Sequence, residues 1–455
     1  MLGLTNGISR FIGYYIGSGE KFKIKEIEVW GIILGVISGI FFGAILFIIA
    51  PYIAPIFSEN ELFIGYLKIA AITIPFYTIL TVLISIFRGH HRAQEKIFFY
   101  DVGRNLLFFL FSFLTGIFAL PFVGIIWSMF LSTGIMSISI VIYYLINQKT
   151  ILKRLRFLII KRSIGKKILL FSLPLLFVDI LHKIMEWSDT LMLGYFSNEK
   201  AVGFYNIARP MSVFISIGLS ISLFIYTPLT AGLYAQKKLK ENVIIFTTIT
   251  KWICFFTLPI AILFFFYGSE IISIFFGEKY LPAVNALKIL VVVYFIHNIM
   301  GPNGATLTAY GKTKYLLFTG IISSLLNVVL NFLIIPLYGI VGAAIATGIS
   351  IIFINLIRVY YLKKISNIHP FRFEIIIPVT IASLLGIIFS LFFIYFSFFE
   401  LLSAIIVVII TPLSFLFTMI LTKNISSQDK KLFYMIESKI GINLYIIKKL
   451  LKKFF

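Results

Sequence analysis

The sequence is poor in charged residues and contains one cysteine. Only 13% of its 455 residues are charged, 60% are hydrophobic and the mean hydropathy is +1.03. Since soluble proteins carry roughly a quarter charged residues, this balance excludes a water-soluble enzyme. The lone cysteine, Cys254, excludes an internal disulfide and a cysteine-based metal site. The five histidines form no dense cluster with carboxylates, so we expect no bound metal or other cofactor.

The sequence contains many long apolar runs. Twelve of them have about 20 residues or more, enough for a helix to cross a hydrocarbon core of roughly 30 Å. They cover about residues 29–57, 63–87, 98–118, 120–146, 168–193, 205–233, 244–267, 284–310, 315–336, 338–362, 375–396 and 400–422. The sequence therefore predicts an all-α polytopic membrane protein with about 12 full spans.

Lysine and arginine alternate between the gaps that separate these spans. One set of gaps, together with the chain from residue 423 onward, holds 30 of the 40 Lys and Arg, whereas the opposite set holds only Lys200 and Lys279. The positive-inside rule places the rich set in the cytoplasm, with the C-terminus. We therefore expect a multi-pass protein of the cell membrane. The net charge of +22 reflects this topology, and nucleic acid is not expected as a partner.

The first residues differ from the other spans. Leu2 to Gly19 is a short, glycine-rich segment with Arg10 in its middle, and no signal peptide precedes it. By the charge alternation it would run from outside to inside. We therefore expect a truncated N-terminal helix, with one helix and part of a second missing upstream.

The two halves of the chain resemble each other at an offset near 220 residues. The matched positions are Trp30 and Trp252, Lys68 and Lys288, Pro121 and Pro336, and Gly124 and Gly339. Because six spans separate the matched segments, they cross the membrane in the same direction. The pattern predicts two parallel-repeat helical bundles around a central cavity, an architecture suited to alternating access.

This organisation predicts five regions. They are an N-terminal bundle (1–150), a cytoplasmic amphipathic linker (151–167), a C-terminal bundle (168–362), two additional transmembrane helices (363–422) and a basic amphipathic cytoplasmic tail (423–455). The linker and tail mix Lys and Arg with Ile, Leu and Phe, which suits helices lying on the anionic inner leaflet. They are equally compatible with ordinary loops that set the topology.

Ionisable side chains inside spans are costly and therefore indicate function. The densest set lies in span 168–193 and consists of Asp179, His182, Lys183, Glu186 and Asp189. Their spacing places them along one broad helical face, which we expect to line a wet cavity. An internal network, such as Asp179 with Lys183 and His182 with Glu186, is the alternative. Asp189 could instead be a solvated helix end.

Two arginines are candidates for contact with an anionic group. Arg10 and Arg209 both lie within apolar segments, and a guanidinium binds phosphate in a bidentate manner. Snorkelling to the interface is the alternative for Arg10, and pairing with Glu186 is the alternative for Arg209. Snorkelling is also the preferred interpretation of Lys68 and Lys288.

Two further motifs lie in the second half of the chain. Asn327 and Asn331 are four residues apart, and they could bond to a sugar or, as we prefer, to a neighbouring helix. The segment HNIMGPNGATL contains Gly301, Pro302 and Gly304, which should loosen its helix and form a hinge.

Four segments carry a resemblance to a known family. GLTNGISRFIG, WSDTLMLGYFSNEKAVGFYNIARPM, LTAYGKTKY and SLLNVVLNFLIIPLYGIVGAAIATGIS resemble the polysaccharide-exporter branch of the multidrug/oligosaccharidyl-lipid/polysaccharide superfamily, which includes O-antigen-type flippases. The resemblance implies a fourteen-helix, V-shaped, MATE-like fold. It also implies transport of a polyprenyl-linked oligosaccharide between leaflets for surface glycan assembly, with membrane lipids and possible glycan-assembly enzymes as partners.

Three other functions stay open at this point. A cation-coupled multidrug exporter of the same fold would need intramembrane carboxylates and few arginines. A peptidoglycan-precursor-type lipid flippase would share the same chemistry. A membrane polymerase or glycosyltransferase would need a sizeable acidic outer loop, and the largest outer gap has about 16 residues. We therefore expect no enzyme. The GxxxxGK[ST] motif is also missing, so energy must come from an ion gradient, the membrane potential or product removal.

Overall fold

The computed structural model describes residues 3–57, 62–118, 122–147, 162–396, 400–422, 424 and 429. Nearly all of these residues are helical, and none of them lies in a β-strand. The prediction of an all-α polytopic fold is confirmed. Most of the predicted linker and tail lies outside the described residues: only 162–167 of the linker, and Asn424 and Asp429 of the tail, are described.

Fifteen helices are numbered here in chain order. They are α1 (Leu4–Gly17), α2 (Lys21–Phe57), α3 (Leu62–Gly89), α4 (Gln94–Ile117), α5 (Val123–Asn147), α6 (Arg162–Phe196), α7 (Glu199–Phe214), α8 (Ile217–Ala235), α9 (Leu239–Phe266), α10 (Gly268–Phe276), α11 (Val284–Ile299), α12 (Asn303–Ala309), α13 (Thr313–Ser366), α14 (Phe373–Tyr395) and α15 (Glu400–Leu421). In α4, Ile97–Arg104 is π-helical, and a 3₁₀ segment, Glu278–Ala283, precedes α11.

Eleven helical stretches among the described residues are long and apolar enough to cross a membrane. One of them, α13, has 54 residues and is kinked at Gly339, whose φ of 52° favours glycine. Its length of about 80 Å is enough for two crossings of a roughly 30 Å core. Counting α13 twice gives the predicted twelve spans. Helix α1, with 14 residues, is about 21 Å long and is shorter than that core.

Two predicted spans are interrupted in the structure. The span predicted at 205–233 is divided at Ile215–Ser216 into α7 and α8. The span predicted at 284–310 is interrupted between α11 and α12, where Gly301 has φ 69°. The sequence is apolar on both sides of each interruption, so hydropathy reveals neither. Only the second is predicted, by the GPNG motif.

The described chain divides into two compact helical units. Unit 1 comprises Met1–Asp179, Phe224–Lys237 and Thr308–Leu317, and unit 2 comprises Ile180–Leu223, Lys238–Leu307 and Phe318–Phe455. The five predicted regions and their boundaries stay predictions.

Close helix contacts through small residues hold unit 1 together. A Cβ built on Gly13 of α1 would lie 2.3 Å from the Pro228 carbonyl oxygen, and one on Gly17 would lie 2.2 Å from that of Gly232. The backbones of α1 and α8 therefore touch directly. In the same way Gly39 of α2 lies against α3. This packing suits a membrane interior, where close van der Waals contact replaces the hydrophobic effect between helices.

A buried ion pair lies near the middle of α9 in unit 2. Lys251 Nζ lies 2.8 Å from Asp429 Oδ2 and also donates to the Asn424 carbonyl oxygen at 2.7 Å. Trp252 Nε1 donates to Asp429 Oδ1 at 3.0 Å. Asp429, an acid in a basic segment, thus compensates the buried lysine. This contact was not predicted from the sequence.

Each unit contains the same lysine–phenylalanine contact. In unit 1, Lys68 Nζ lies 5.3 Å from the ring centroid of Phe47, and in unit 2, Lys288 Nζ lies 5.8 Å from that of Phe265. Both are cation–π distances. Lys68 and Lys288 are 220 residues apart, the offset of the repeat. The internal repeat is thus visible in side-chain contacts as well as in sequence.

Candidate substrate-binding residues

Asp189 of α6 is fully buried in unit 2 and accepts hydrogen bonds from α7 and from both halves of the kinked α13. Its Oδ2 accepts from Thr347 Oγ1 at 2.7 Å and from Tyr205 Oη at 2.9 Å. Its Oδ1 accepts from Asn331 Nδ2 at 2.7 Å and from Asn327 Nδ2 at 3.4 Å. Four donors compensate the desolvation of this carboxylate. Asp189 is therefore an interhelical junction and not a solvated helix end.

Asn327 and Asn331 belong to this junction. Both are fully buried, and Asn327 Oδ1 also accepts from Ser188 Oγ at 2.9 Å. The contacts are those of the preferred sequence interpretation, bonding between neighbouring helices. Asn331 Oδ1 is buried and has no hydrogen-bond partner within the described part of the chain. Contact of either asparagine with a substrate stays a prediction.

The remaining ionisable residues of α6 lie nearer its surface. Asp179, His182 and Lys183 are exposed, and Glu186 is half-buried. Lys183 forms an ion pair with Glu186, so the internal pairs considered from the sequence are replaced by this i, i+3 pair. Asp179 has no ion pair with another described residue. Lining of a substrate cavity by these four side chains stays a prediction.

Arg209 of α7 extends toward α6 in unit 2. Its Nη1 donates to the Glu186 carbonyl oxygen at 2.6 Å, whereas the Glu186 carboxylate pairs with Lys183. The alternative of a carboxylate pair with Glu186 is therefore replaced by a backbone contact. Arg209 Nε is buried and has no partner among the described residues. The guanidinium thus has one buried donor that no described residue satisfies.

Arg10 of α1 is enclosed by aromatic rings in unit 1. Its side chain is largely buried, and Nε donates to the Ala309 carbonyl oxygen at 3.1 Å. The guanidinium carbon lies 4.8 Å from the ring centroid of Phe11, 4.9 Å from that of Tyr14 and 5.1 Å from that of Phe171. No carboxylate of a described residue lies within ion-pair distance of Arg10. Its contact with substrate stays a prediction.

Several buried polar residues were not singled out from the sequence. In unit 1, Glu28 lies 2.6 Å from His90 Nε2 and accepts from Tyr144 Oη at 3.0 Å. Arg88, at the end of α3, donates from Nε to the Phe224 carbonyl oxygen at 3.0 Å. In unit 2, Arg358 of α13 is buried. All of these lie near span ends, where charge in a sequence is normally attributed to topology.

The GPNG segment forms the interruption between α11 and α12. Gly301 adopts φ 69°, and a Cβ there would lie 2.4 Å from Thr250 Oγ1. Pro302 has no amide hydrogen, so the helical hydrogen bonds stop at this point. Gly304 leaves room for a guanidinium, since a Cβ would lie 3.3 Å from Arg358 Nη1. Movement at this predicted hinge stays a prediction.

Metal and cofactor sites were sought among the described residues. No group of three or more His, Cys, Asp or Glu in that part of the chain is arranged to hold a metal ion. The buried polar chemistry consists of hydrogen-bonded amides, hydroxyls and carboxylates together with arginines that lack a carboxylate partner. Such an arrangement can bind a polar, anionic group without chemical reaction.

The sequence matches a family described as polysaccharide biosynthesis protein over residues 28–285, more than half of the chain. The chain belongs to this family. A membrane protein of Methanocaldococcus jannaschii, MJ1068, is 26% identical over 412 residues, which cover 85% of this chain and 79% of the relative. A probable low-salt glycan biosynthesis flippase of Haloferax volcanii, Agl15, is 25% identical over 208 residues, which cover 45% of this chain and 44% of the relative.

The family resemblance and the fold are both confirmed. A MATE family multidrug resistance transporter of the MOP superfamily, solved in an outward-facing conformation, superposes with a TM-score of 0.71 at 19% identity, covering 80% of this chain and 83% of the other. At that identity the likeness shows the fold alone. The protein is thus a multi-pass membrane protein of the polysaccharide-exporter branch with a MATE-like fold.

Proposed function

We propose that the protein transfers a polyprenyl-linked pyrophosphate oligosaccharide from the cytoplasmic to the outer leaflet of the cell membrane, for assembly of a surface polysaccharide or glycan. The headgroup is moved by alternating access while the polyprenyl tail stays in lipid. No covalent bond is broken. The Lys- and Arg-rich gaps and the C-terminus are on the cytoplasmic side.

The observation that carries the proposal is that Arg10 and Arg209, both at least partly buried, form no ion pair with a described residue, whereas Asp179, which also forms none, is exposed. In unit 2, Asp189 accepts from four donors and lies within electrostatic range of Arg209, and Glu186 pairs with Lys183. Arg209 donates to a carbonyl oxygen and has an Nε without a partner among the described residues. In unit 1, Arg10 likewise lacks a carboxylate partner among the described residues. A buried guanidinium without an anion is costly, so a phosphate-bearing headgroup is the substrate that suits these residues.

The other predicted residues contribute contacts suited to a sugar. Asp179 and His182 are exposed on α6 and can bond to hydroxyl groups. Names of relatives agree with this substrate class: Agl15 is named a glycan biosynthesis flippase. Membrane lipids and glycan-assembly enzymes that supply or consume the lipid-linked sugar are the partners expected of such a transporter.

A cation-coupled multidrug exporter is the second candidate, because the fold is shared with a multidrug transporter. A cationic drug requires uncompensated carboxylates in the spans. In unit 2 the buried Asp189 already has four donors, which disfavours this candidate. A peptidoglycan-precursor-type lipid carries the same pyrophosphate and is a variant of the first proposal.

Transfer between leaflets tests the proposal directly. The purified protein is placed in vesicles that contain a fluorescent polyprenyl-pyrophosphate oligosaccharide, and the fraction accessible to an external quencher is followed. We expect transfer by the wild type and at least tenfold slower transfer by Arg209→Ala, because hydrogen bonds to charged groups contribute about 1.5–3 kcal/mol. Lys200→Ala, which removes an exposed charge in the first turn of α7, is the matched control. Transport of cationic dyes, with no transfer of the glycolipid, would contradict the proposal.

A further inference from the structure

Arg358 lies inside unit 2 without an anionic partner. Its side chain is only 7% exposed, Nε makes a long hydrogen bond of 3.4 Å to Thr319 Oγ1, and Nη2 is buried without any hydrogen-bond partner in the described chain. No carboxylate of a described residue is within ion-pair distance. An uncompensated guanidinium at this depth costs several kcal/mol, so its presence indicates a functional site.

Two histidines from other helices lie close to Arg358. His297 Nδ1 of α11 lies 2.8 Å from the Nδ2 of Asn355, one turn before Arg358 on α13. His182 follows Leu181 on α6, whose carbonyl oxygen accepts from Ser324 Oγ of α13 at 3.3 Å, and both histidines lie within electrostatic range of Arg358. Three basic side chains from three helices therefore lie near one another. A guanidinium next to two imidazoles favours their neutral form, and neutral imidazoles can still donate hydrogen bonds to an anion bound by the guanidinium.

Hydrogen bonds determine which ring nitrogen of His297 carries the hydrogen. Asn303 Nδ2 donates to Asn355 Oδ1 at 2.7 Å, which leaves Asn355 Nδ2 to donate to Ile351 and to His297 Nδ1 at 2.8 Å. Because an amide nitrogen can only donate, His297 Nδ1 is the acceptor and Nε2 carries the hydrogen. His297 thus offers a donor even when it is neutral.

The surrounding structure leaves space for a ligand next to Arg358 and a side from which the ligand can enter. Gly304, at the start of α12, has no side chain that would crowd Arg358 Nη1. His182 is exposed, so the cluster is open on the α6 side. Arg358 lies eight residues, about 12 Å, before the end of α13 that carries Lys363 and Lys364. His182 is one helical turn from Glu186, whose carbonyl oxygen holds Arg209.

We infer that Arg358, His297 and His182 form a phosphoryl-binding subsite that takes the pyrophosphate of the lipid-linked substrate as it enters from the Lys-rich end of the spans. This inference rests on the proposed function for the identity of the substrate. The binding chemistry itself follows from a buried guanidinium, whose Nη2 has no partner among the described residues, next to two histidines. Arg209 of α7 contacts Glu186, one turn further along α6 than His182, and is placed to take the charge as the headgroup advances.

Equilibrium binding of inorganic pyrophosphate tests the subsite. The full chain is measured in nanodiscs of neutral phosphatidylcholine with radiolabelled pyrophosphate. We expect saturable binding, weakened at least tenfold by Arg358→Gln and at least threefold by His182→Gln. Lys364→Gln, which removes an exposed positive charge from the same end of α13, should change the affinity less than twofold. Because His182 is exposed, its variant keeps the test valid if Arg358→Gln does not fold.

Two results would overturn the subsite. One is affinity within twofold of the wild type in both variants, and the other is the absence of saturable wild-type binding up to about 10 mM. A vesicle assay separates this inference from the proposed function. Normal glycolipid transfer by Arg358→Gln would overturn the subsite alone. Arg358-dependent pyrophosphate binding, with no glycolipid transfer by the wild type, would overturn the proposed function and leave the subsite standing.

Discussion

Thr347 Oγ1 donates a 2.7 Å hydrogen bond to Asp189 Oδ2 and so joins α13 to α6 inside unit 2. Tyr205 and Asn331 donate to the same carboxylate from two other directions. A junction of this kind fixes the positions of neighbouring helices, because each donor would be left unpaired if its helix moved. The junction therefore holds the C-terminal part of α6, beyond the predicted substrate face, in a fixed position relative to α7 and α13.

Asp189→Ala should destabilise the protein by about 2–4 kcal/mol, since it leaves several buried donors without an acceptor. Thermal unfolding in detergent measures the effect. Glu186→Ala removes a carboxylate one turn away that pairs only with exposed Lys183, and it should cost less than about 1 kcal/mol. Equal unfolding temperatures for the two variants would contradict the junction.

Arg10→Ala should reduce delivery of surface glycan at least tenfold while leaving the protein in the membrane. Arg10→Lys should restore only part of the activity, because a lysine keeps the charge but loses the fork geometry and the bond to the Ala309 carbonyl oxygen. Surface labelling of cells checks both variants. Lys21→Ala, which removes an exposed charge at the start of α2, is the control and should be neutral. Wild-type glycan levels in Arg10→Ala would remove this residue from the site.

Gly13→Ala should destabilise unit 1, because its methyl group would lie 2.3 Å from the Pro228 carbonyl oxygen and neither backbone can yield without separating α1 from α8. Overpacking of this kind costs about 1–3 kcal/mol. Gly65→Ala in α3 is the matched control, since nothing lies within 4 Å of its Cβ position. The yield of monodisperse protein and the unfolding temperature should fall for Gly13→Ala only. A fall of the same size in both variants would contradict the close approach of α1 and α8.

Pro302→Ala tests the predicted hinge. A residue with an amide hydrogen allows helical bonding to continue across the interruption between α11 and α12. We expect glycolipid transfer to slow severalfold, with the pyrophosphate affinity unchanged, because the substitution restricts movement and not binding. Loss of affinity together with transfer would indicate a binding role for this segment, and unchanged transfer would exclude the hinge.

The sequence predicted the architecture because membrane spans depend on local composition. The twelve apolar runs, the alternation of Lys and Arg and the 220-residue repeat are visible without any structure. The interruption at Ile215–Ser216 was not predicted, since it contains neither proline nor glycine. The boundary predicted at residue 337 between two spans lies two residues before Gly339, where two helical stretches of α13 meet at a non-helical kink.

The candidate site was only partly predictable. Arg10, Arg209 and the polar residues of α6 stand out, because charge is rare in apolar runs. Arg358 was not singled out, since an arginine five residues before Lys363 resembles an ordinary span end. Its burial depends on contacts with α6, α11 and α12, which come from distant parts of the sequence. The partners of Asp189, on helices α7 and α13, could not be predicted for the same reason.

The central claim is that unmatched arginines recognise the phosphate of a glycolipid. It is tested most directly by comparing two fluorescent polyprenyl oligosaccharides in the same vesicles, one with a pyrophosphate linkage and one with an uncharged linkage. We predict that the wild type transfers the pyrophosphate compound at least tenfold faster and that Arg209→Ala loses this preference. Equal transfer of the two compounds by the wild type would contradict the account.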